Sequence, residues 1–323
     1  MACRFCPQDR LVKTYPKGEP RDLSLADFLT VLEKLPSHVR VDLSGMAEPW
    51  LNPDATAMAI LAFERRRAVA VYTTLQGMTP DEATLLIGRF GSRVSPETPW
   101  VIHLPDDEGN MVGWRPSETY RETLSRFLAF ARLQGPDGLS FMTMSATGSV
   151  APALQDLVRD TLPPFRGISR AGNLNQEEFR PGALLAAVRQ EHALLCGSTP
   201  FFDHNVLLPN GDVLLCCMDY GRQHVVGNLL TQTYEAIHAG ATLGTIRAQA
   251  MTPSAGTLLC RHCHNAVCLS HRDGTHWRLT AAAMWSPDVA AEPIPYPLQP
   301  APQQPARLPR PGLRRMLERV LAL

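Results

Sequence analysis

The chain has 323 residues, 31 Lys+Arg against 31 Asp+Glu, 45% hydrophobic residues and eight cysteines. Zero formal net charge leaves no global field to recruit nucleic acid or an anionic membrane, and no apolar run approaches the ~20 residues that span a bilayer. A signal peptide would need a basic region and an apolar core where the first cysteines stand, so the chain reads as cytoplasmic, and in that reducing compartment the cysteines point to metal rather than disulfides.

The chain opens Met1-Ala-Cys3-Arg-Phe5-Cys6-Pro7, two cysteines three apart with an aromatic before the second. Between residues 24 and 134, helix and strand patterns alternate, which predicts a parallel sheet with crossover helices. Ser24 and Asp27 read as a capping box opening a helix over 25–35. Alternation over 39–43 predicts a strand that runs into Ser44-Gly45-Met46-Ala47-Glu48-Pro49. A helix over 54–67 and a strand over 69–73, ending at Thr73 and Thr74, come next. Thr79-Pro80-Asp81-Glu82 is a helix start with a cap, proline at the first position and acids in the first turn. A strand over 100–104 leads to Asp106 and Asp107, and a helix over 117–133 follows. Strand, helix and short strand are expected over 139–144, 150–162 and 167–169, the last running into Arg170.

From about Glu191 the cysteines take over. Residues 206–216 predict a hairpin around Asn210-Gly211, 231–250 a helix, and 260–268 a loop carrying Cys260, Cys263 and Cys268. Beyond Trp285, nine prolines precede Gly312, the mark of an extended linker. Residues 312–323 close the chain as a short amphipathic helix.

The N-terminal pattern resembles the second half of the CxxxCxxC signature of the radical S-adenosylmethionine (SAM) superfamily: Cys3, Phe5 and Cys6 match it. The first cysteine would fall four residues before Cys3, upstream of Met1, so a start placed too late or a gene fragment is expected, with degeneration to an inactive protein as the competing reading. The signature has a chemical reason. A [4Fe-4S] cluster normally takes four thiolates; three leave one iron open, which in the family chelates SAM, and an electron from the cluster then generates a 5′-deoxyadenosyl radical. The resemblance implies a partial (β/α)6 barrel, counting a strand lost before Cys3. It also implies that Gly45 and Glu48, in a turn like the family's GGE or GEP loop but departing from it at Met46 and Ala47, hold SAM's amino group. Thr73 and Asp106, at later strand ends, would face SAM's ribose and methionine, although as isolated residues they also read as loop caps. Arg170 would meet SAM's carboxylate or the substrate.

Cys196, fourteen residues, Gly211, four residues, Cys216 resembles the opening of SPASM and twitch domains, the auxiliary-cluster extensions of radical SAM enzymes, and Gly227-Asn228-Leu229 and Cys260-x-x-Cys263 follow in the same order. A full SPASM domain continues with further cysteines for two clusters; only Cys268 remains here. One auxiliary cluster on Cys196, Cys216, Cys260 and Cys263 is therefore implied, with Cys268 spare or a substitute. That is the twitch arrangement, similar to that of the radical SAM dehydrogenase acting on 2-deoxy-scyllo-inosamine. Cys217 points elsewhere if the hairpin is regular. The organisation expected is a barrel over 1–190, an auxiliary-cluster domain over 191–285 and a proline-rich tail over 286–323. The implied activity is that of an oxidoreductase or modifying enzyme acting on a peptide or an aminocyclitol or sugar, with an electron donor such as flavodoxin or ferredoxin. Three rivals stay open: zinc, which accepts four thiolates as readily; haem, through the C-x-x-C-H pattern at Cys260 to His264; and a non-catalytic metal-binding protein of this fold.

Overall fold

The computed structural model describes residues 2–165, 170–174, 192–196, 202–253, 256–263, 265–272 and 276–279. The strand expected over 167–169 and the tail over 286–323 lie outside them. The first part of the chain runs β1 (Ala2–Cys3), α1 (Gln8–Thr14), α2 (Leu25–Lys34), β2 (Val41–Leu43), α3 (Ala55–Glu64), β3 (Val69–Thr73), α4 (Pro80–Phe90), β4 (Trp100–Leu104), β5 (Met111–Val112), α5 (Glu118–Gln134) and β6 (Leu139–Thr143). Strands β2, β3, β4 and β6 form, in that order, a parallel four-stranded sheet.

Local signals set the helix starts. Ser24 caps α2 by accepting from Asp27 N at 3.1 Å. Thr79 and Glu82 make a reciprocal capping box on α4 with Pro80 in its first turn, and Ser117 caps α5 through Tyr120 N. Alternation along the strands then decides what is buried. Leu43, Val69, Val71, Trp100, Ile102 and Leu104 face the helices and join one core with Phe63, Phe90, Phe127 and Phe130. Phe63 stacks on Phe90 at 4.1 Å between centroids, and Trp100 lies 6.2 Å from both Phe127 and Phe130. Residues of opposite parity, Asp42, Ala70, Tyr72, Val101 and His103, look to the inner side of the sheet.

Residues 150–162 do not form the expected helix. Among them only Pro152–Leu154 makes a single 3-10 turn. Leu162 N returns to Gly148 O at 3.0 Å and Phe165 N to Ser145 O at 2.8 Å, so the segment closes on itself as a loop. Pro163 and Pro164 forbid a helical continuation.

The second part runs β7 (Ala193–Cys196), β8 (Val206–Leu207), β9 (Asp212–Leu214), β10 (Val225–Asn228), α6 (Tyr234–His238), α7 (Ala241–Met251), β11 (Ala266–Arg272) and β12 (His276–Leu279). The expected hairpin is present as β8 and β9, and β10 adds to β9. Gly211 sits in the turn at φ 85°, and a Cβ there would come within 2.6 Å of Leu230, so both backbone and packing demand glycine. Asn228 ties the same turn down, donating to Asn210 O at 3.0 Å and Asp212 Oδ1 at 3.1 Å. The single helix expected over 231–250 is broken into α6 and α7 by Gly240, whose extended backbone ends the first helix and caps the second. The loop expected over 260–268 is also corrected: Ala266–Arg272 is a strand pairing antiparallel with β7, Ala266 opposite Cys196 and Cys268 opposite Leu194. The run Ala266-Val-Cys-Leu269 is apolar enough to complete that sheet. Among the described residues no helix is long and apolar enough to cross a membrane.

Helix α2 belongs to both parts. Phe28 and Leu32 enter the core under the parallel sheet, while Val31 enters a second core with Leu194, Val213, Leu215, Val226, Leu229, Ile246 and Leu259. At its end Lys34 Nζ donates to Leu229 O at 2.6 Å and Leu230 O at 2.8 Å. Replacing Lys34 with Ala is expected to cost about 1.5 to 3 kcal/mol, the range for hydrogen bonds to charged groups. Denaturant titration checks the value, and hydrogen exchange should locate the loosening at residues 228–231; unchanged stability would mean that the contact carries no net energy.

Candidate metal centres

The N-terminal loop lies at the carboxyl ends of the parallel strands, where open α/β sheets place their ligands. β1 pairs with β5, Cys3 opposite Met111. Cys6 N turns back to Cys3 O at 2.9 Å, and Arg4 N donates to Asn110 O at 2.8 Å. Gln8 Nε2 reaches Met46 O at 2.8 Å, bringing the loop against the turn after β2. Phe5 is buried, its ring 4.7 Å from that of Phe165. Arg170 closes the loop from the far side: Nε donates to Phe5 O at 3.1 Å and Nη2 lies 3.8 Å from Cys6 Sγ. Both Arg170 and Ala171 hold left-handed backbone, φ 46° and 52°, a conformation costing about 1 to 3 kcal/mol per residue that persists where surrounding contacts impose it.

The two thiols share a proton unequally. Their mutual hydrogen bond, helped by Arg170, brings Cys6 down to about 6, while the same bond and burial push Cys3 up. Cys6 is thus the readier thiolate, the form that binds metal. Tyr220, wholly buried, stacks under the Arg170 guanidinium at 5.8 Å, and its hydroxyl faces the Cys6 thiol, an interaction that helps to lower the Cys6 pKa and to raise its own. Two adjacent thiols, one of them acidic and held beside a guanidinium, suit a site that binds metal through thiolate.

The strand ends beside this loop carry the residues that the sequence singled out. Gly45 turns the chain after β2 at φ 120°. Glu48 is half-buried, and its desolvation raises its pKa while four donors oppose that: Oε1 accepts from Thr73 Oγ1 at 2.6 Å and Trp50 N at 3.2 Å, and Oε2 from Thr74 N at 2.6 Å and Thr74 Oγ1 at 2.7 Å. The Thr73 hydroxyl is thereby committed to Glu48. Asp106, 5% exposed, accepts from Asn110 N through Oδ1, whereas its buried Oδ2 has no hydrogen-bond partner among the described residues.

The second cysteine group forms a pocket of its own. Cys196, at the end of β7, Cys216, just beyond β9, and Cys260 and Cys263, in and after the 3-10 turn Leu259–His262, all line it, with Phe202, His204, Leu215, Leu259 and Ala266 as the remaining wall. Burial pushes the Cys216 thiol well up and Cys260 to about 12. In apolar surroundings thiolates need a cationic partner to form at all. All four thiols border this one pocket, and a set of four thiolates serves a [4Fe-4S] cluster or a tetrahedral zinc. Arg261, 1% exposed, fastens the turn by donating to His192 O at 2.7 Å, Gln249 O at 3.0 Å and Thr252 O at 2.6 Å.

Cys217 is not part of the pocket wall, and Arg170, Cys196, Asp42 and Tyr220 are the charged or titratable groups near it. Cys3 and Cys6 are separate from the four-thiol pocket, and the short turn from Cys216 to Tyr220 joins the two sites. Asn173 Nδ2 bonds Met218 O at 2.8 Å and holds that turn to Arg170. Sequence reading missed Tyr220, Asp42, His103 and His204. None stands in a spaced pattern, and only the inward parity of Asp42 and His103 on predicted strands offered a signal.

Residues 196–264 match the model of the SPASM iron-sulfur cluster-binding domain. That segment follows a parallel α/β sheet with a cysteine-bearing loop at its carboxyl ends. A solved structure of BtrN in complex with AdoMet and 2-DOIA shares the fold, with a TM-score of 0.51 at 16% identity over 82% of this chain and 88% of that one. A selenomethionine BtrN structure in an open conformation aligns at a TM-score of 0.45 and 14% identity over 75% and 80% of the two chains. No curated protein matches the sequence.

His103, on the inner side of β4, is brought from an ordinary 6.5 to about 4 by burial, aided by the charge of Arg170. A group depressed in the folded state takes its proton in the unfolded state first, so stability rises with pH between about 4 and 6.5 and is flat above. Acidification from pH 7 to 4 is expected to cost about 3 kcal/mol through this residue. Urea titrations of wild type and His103→Gln across that range check it; identical acid sensitivity of the two proteins contradicts the assignment.

Proposed function

We propose that the protein is a radical SAM enzyme of the twitch type, in which Cys3 and Cys6 help to hold the SAM-binding [4Fe-4S] cluster and Cys196, Cys216, Cys260 and Cys263 hold one auxiliary [4Fe-4S] cluster. The observation that carries this reading is the meeting of those four thiols in one largely apolar pocket inside the segment that matches the SPASM domain. When bound, the first cluster and SAM supply a radical that removes a hydrogen atom from the substrate. The chain's own residues bind and orient. Arg170 holds the loop from Phe5 O and places positive charge beside Cys6, favouring its thiolate form. Asp106 Oδ2 offers an uncommitted acceptor to a ribose hydroxyl. Glu48 accepts SAM's ammonium group by exchanging one threonine bond for a charge-assisted one. Gly45 lets the backbone approach. Phe5 and Phe165 shield the loop from water.

A three-thiolate cluster needs one ligand beyond Cys3 and Cys6, and the CxxxCxxC pattern places it four residues before Cys3. The substrate is a peptide or an aminocyclitol or sugar; BtrN, whose solved complex holds 2-DOIA, supports the small-molecule class. A flavodoxin or ferredoxin in the cytoplasm would supply electrons.

Anaerobic reconstitution tests the reading. The chain from Met1 is expected to carry about one [4Fe-4S] cluster, and Ser in place of Cys196, Cys216, Cys260 or Cys263 to abolish or severely deplete it. A zinc-loaded protein without acid-labile sulfide would replace this reading with that of a zinc-binding protein. Extension upstream to a cysteine four residues before Cys3 should add a second cluster and reductant-dependent 5′-deoxyadenosine. In that longer protein Glu48→Ala should weaken SAM binding by roughly 10- to 100-fold, the equivalent of one charged hydrogen bond; two clusters without 5′-deoxyadenosine under any reductant would leave a non-catalytic iron-sulfur protein.

A further inference from the structure

The four-thiol pocket is assembled from pieces far apart in the chain. Cys216 follows the hairpin of β8 and β9, whereas Cys260 and Cys263 come with the 3-10 turn Leu259–His262. His224, just before β10, touches both pieces. Its carbonyl accepts from Leu215 N at 3.0 Å, and its Nε2 accepts from Leu259 N at 3.2 Å. Leu215 and Leu259 are the residues immediately before Cys216 and Cys260, and both are buried. One residue thus holds the backbone a single step upstream of a thiol on each side of the pocket.

The imidazole is itself anchored. Gln223 N and His224 N donate to the two carboxylate oxygens of Asp219, each at 2.8 Å. Asp219, wholly buried, donates through its own N to Cys216 O at 3.1 Å. The loop from Cys216 to His224 is therefore closed on itself, with the thiol at one end and the imidazole at the other. Burial lowers the His224 pKa against the opposing charge of Asp219, which favours the neutral ring, and an Nε2 that accepts places the ring hydrogen on Nδ1. A side chain without an acceptor here would leave the Leu259 N–H buried and unpaired, a costly state.

His224 and Arg261 secure the pocket in different directions. Arg261 ties the turn bearing Cys260 and Cys263 to His192 O, at the approach to the strand that ends in Cys196. His224 ties the same turn to the loop bearing Cys216. Four thiolates close on one point around a zinc ion, but around a cubane they must meet irons at separate corners, so the spacing between the pieces decides how well a cluster seats.

We propose that His224 is a positioning residue for the auxiliary cluster: by accepting from Leu259 N it fixes the Cys260 backbone against the Cys216 loop, and that spacing makes the pocket retain a [4Fe-4S] cluster. The inference rests on the twitch-type reading and deepens it. Groups that orient metal ligands without touching the metal contribute about 10- to 100-fold in affinity. Two amide variants separate reach from polarity. In His224→Gln the amide oxygen stands about where Nε2 does and can take the Leu259 N–H, whereas in His224→Asn it stands near Nδ1 and falls short. The chain from Met1 and both variants are reconstituted anaerobically with iron and sulfide. Iron release to a ferrous chelator and the EPR spectrum of the reduced cluster are recorded, with urea titrations of the iron-free proteins alongside. His224→Asn is expected to release iron about tenfold faster than wild type and to show an altered spectrum, and His224→Gln to keep the wild-type rate and spectrum. Equal release rates in the two variants, or a wild-type rate and spectrum in His224→Asn, would overturn the inference and leave the cluster reading standing. Release rates that only follow the urea midpoints, with one spectrum shared by all three proteins, would assign His224 to fold stability and overturn it as well. Absence of iron and sulfide from the wild-type protein would overturn the cluster reading together with the inference.

Discussion

One helix serving two hydrophobic cores is the constraint on which the arrangement depends. Adjacent positions on α2 point about 100° apart, so Leu32 and Val31 can enter different cores from neighbouring sites, and they do. Neither part can rotate on the other without withdrawing an apolar side chain from its core, a cost of roughly 1.5 to 3 kcal/mol for a residue of this size. Lys34 adds two bonds across the same boundary, and Arg67 secures the end of the helix through Leu32 O, Leu35 O and Pro36 O. The relation between the N-terminal loop and the four-thiol pocket is thus set by packing.

A second link runs along the turn after β9. Cys216 borders the pocket, and four residues on Tyr220 abuts Cys6. A chain of four steps spans at most about 14 Å, and this one is folded tighter by bonds from Asp219 N to Cys216 O and Tyr220 N to Met218 O. Helix α1, which leaves the N-terminal loop, is held to the same turn: Arg222 donates to Thr14 O and stacks on Tyr15. The two cysteine sites are therefore near neighbours through the backbone as well as through space.

Much of this was legible from local chemistry. The caps at Ser24 and Thr79 are short-range signals and lie where the sequence puts them. The four cysteines that line the pocket were singled out through the resemblance to SPASM and twitch domains, in whose pattern Gly211 and Asn228 also stand. Local reading failed where distant residues decide the outcome. Residues 150–162 have helical periodicity but are closed into a loop by Gly148 and Ser145, and Ala266–Arg272 is a strand only because β7 stands ready to pair with it. Arg170 was placed near the cofactor, but its contact with the loop backbone spans 165 positions in the chain, and nothing in the sequence encodes Tyr220 as its stacking partner.

Arg261 gives the cysteine pocket a property that its thiols alone would not. In small metal-organised domains the ion itself supplies the folding energy, and the chain collapses only around it. Here a buried guanidinium pins the turn bearing Cys260 and Cys263 to the approach of β7 and the end of α7 through three backbone carbonyls, none of which involves metal. The ligand frame is consequently preorganised. A cluster held there, as the proposed function has it, would express its binding energy as affinity instead of consuming it in ordering the chain, and a chelator that removed it would leave a folded shell able to be refilled.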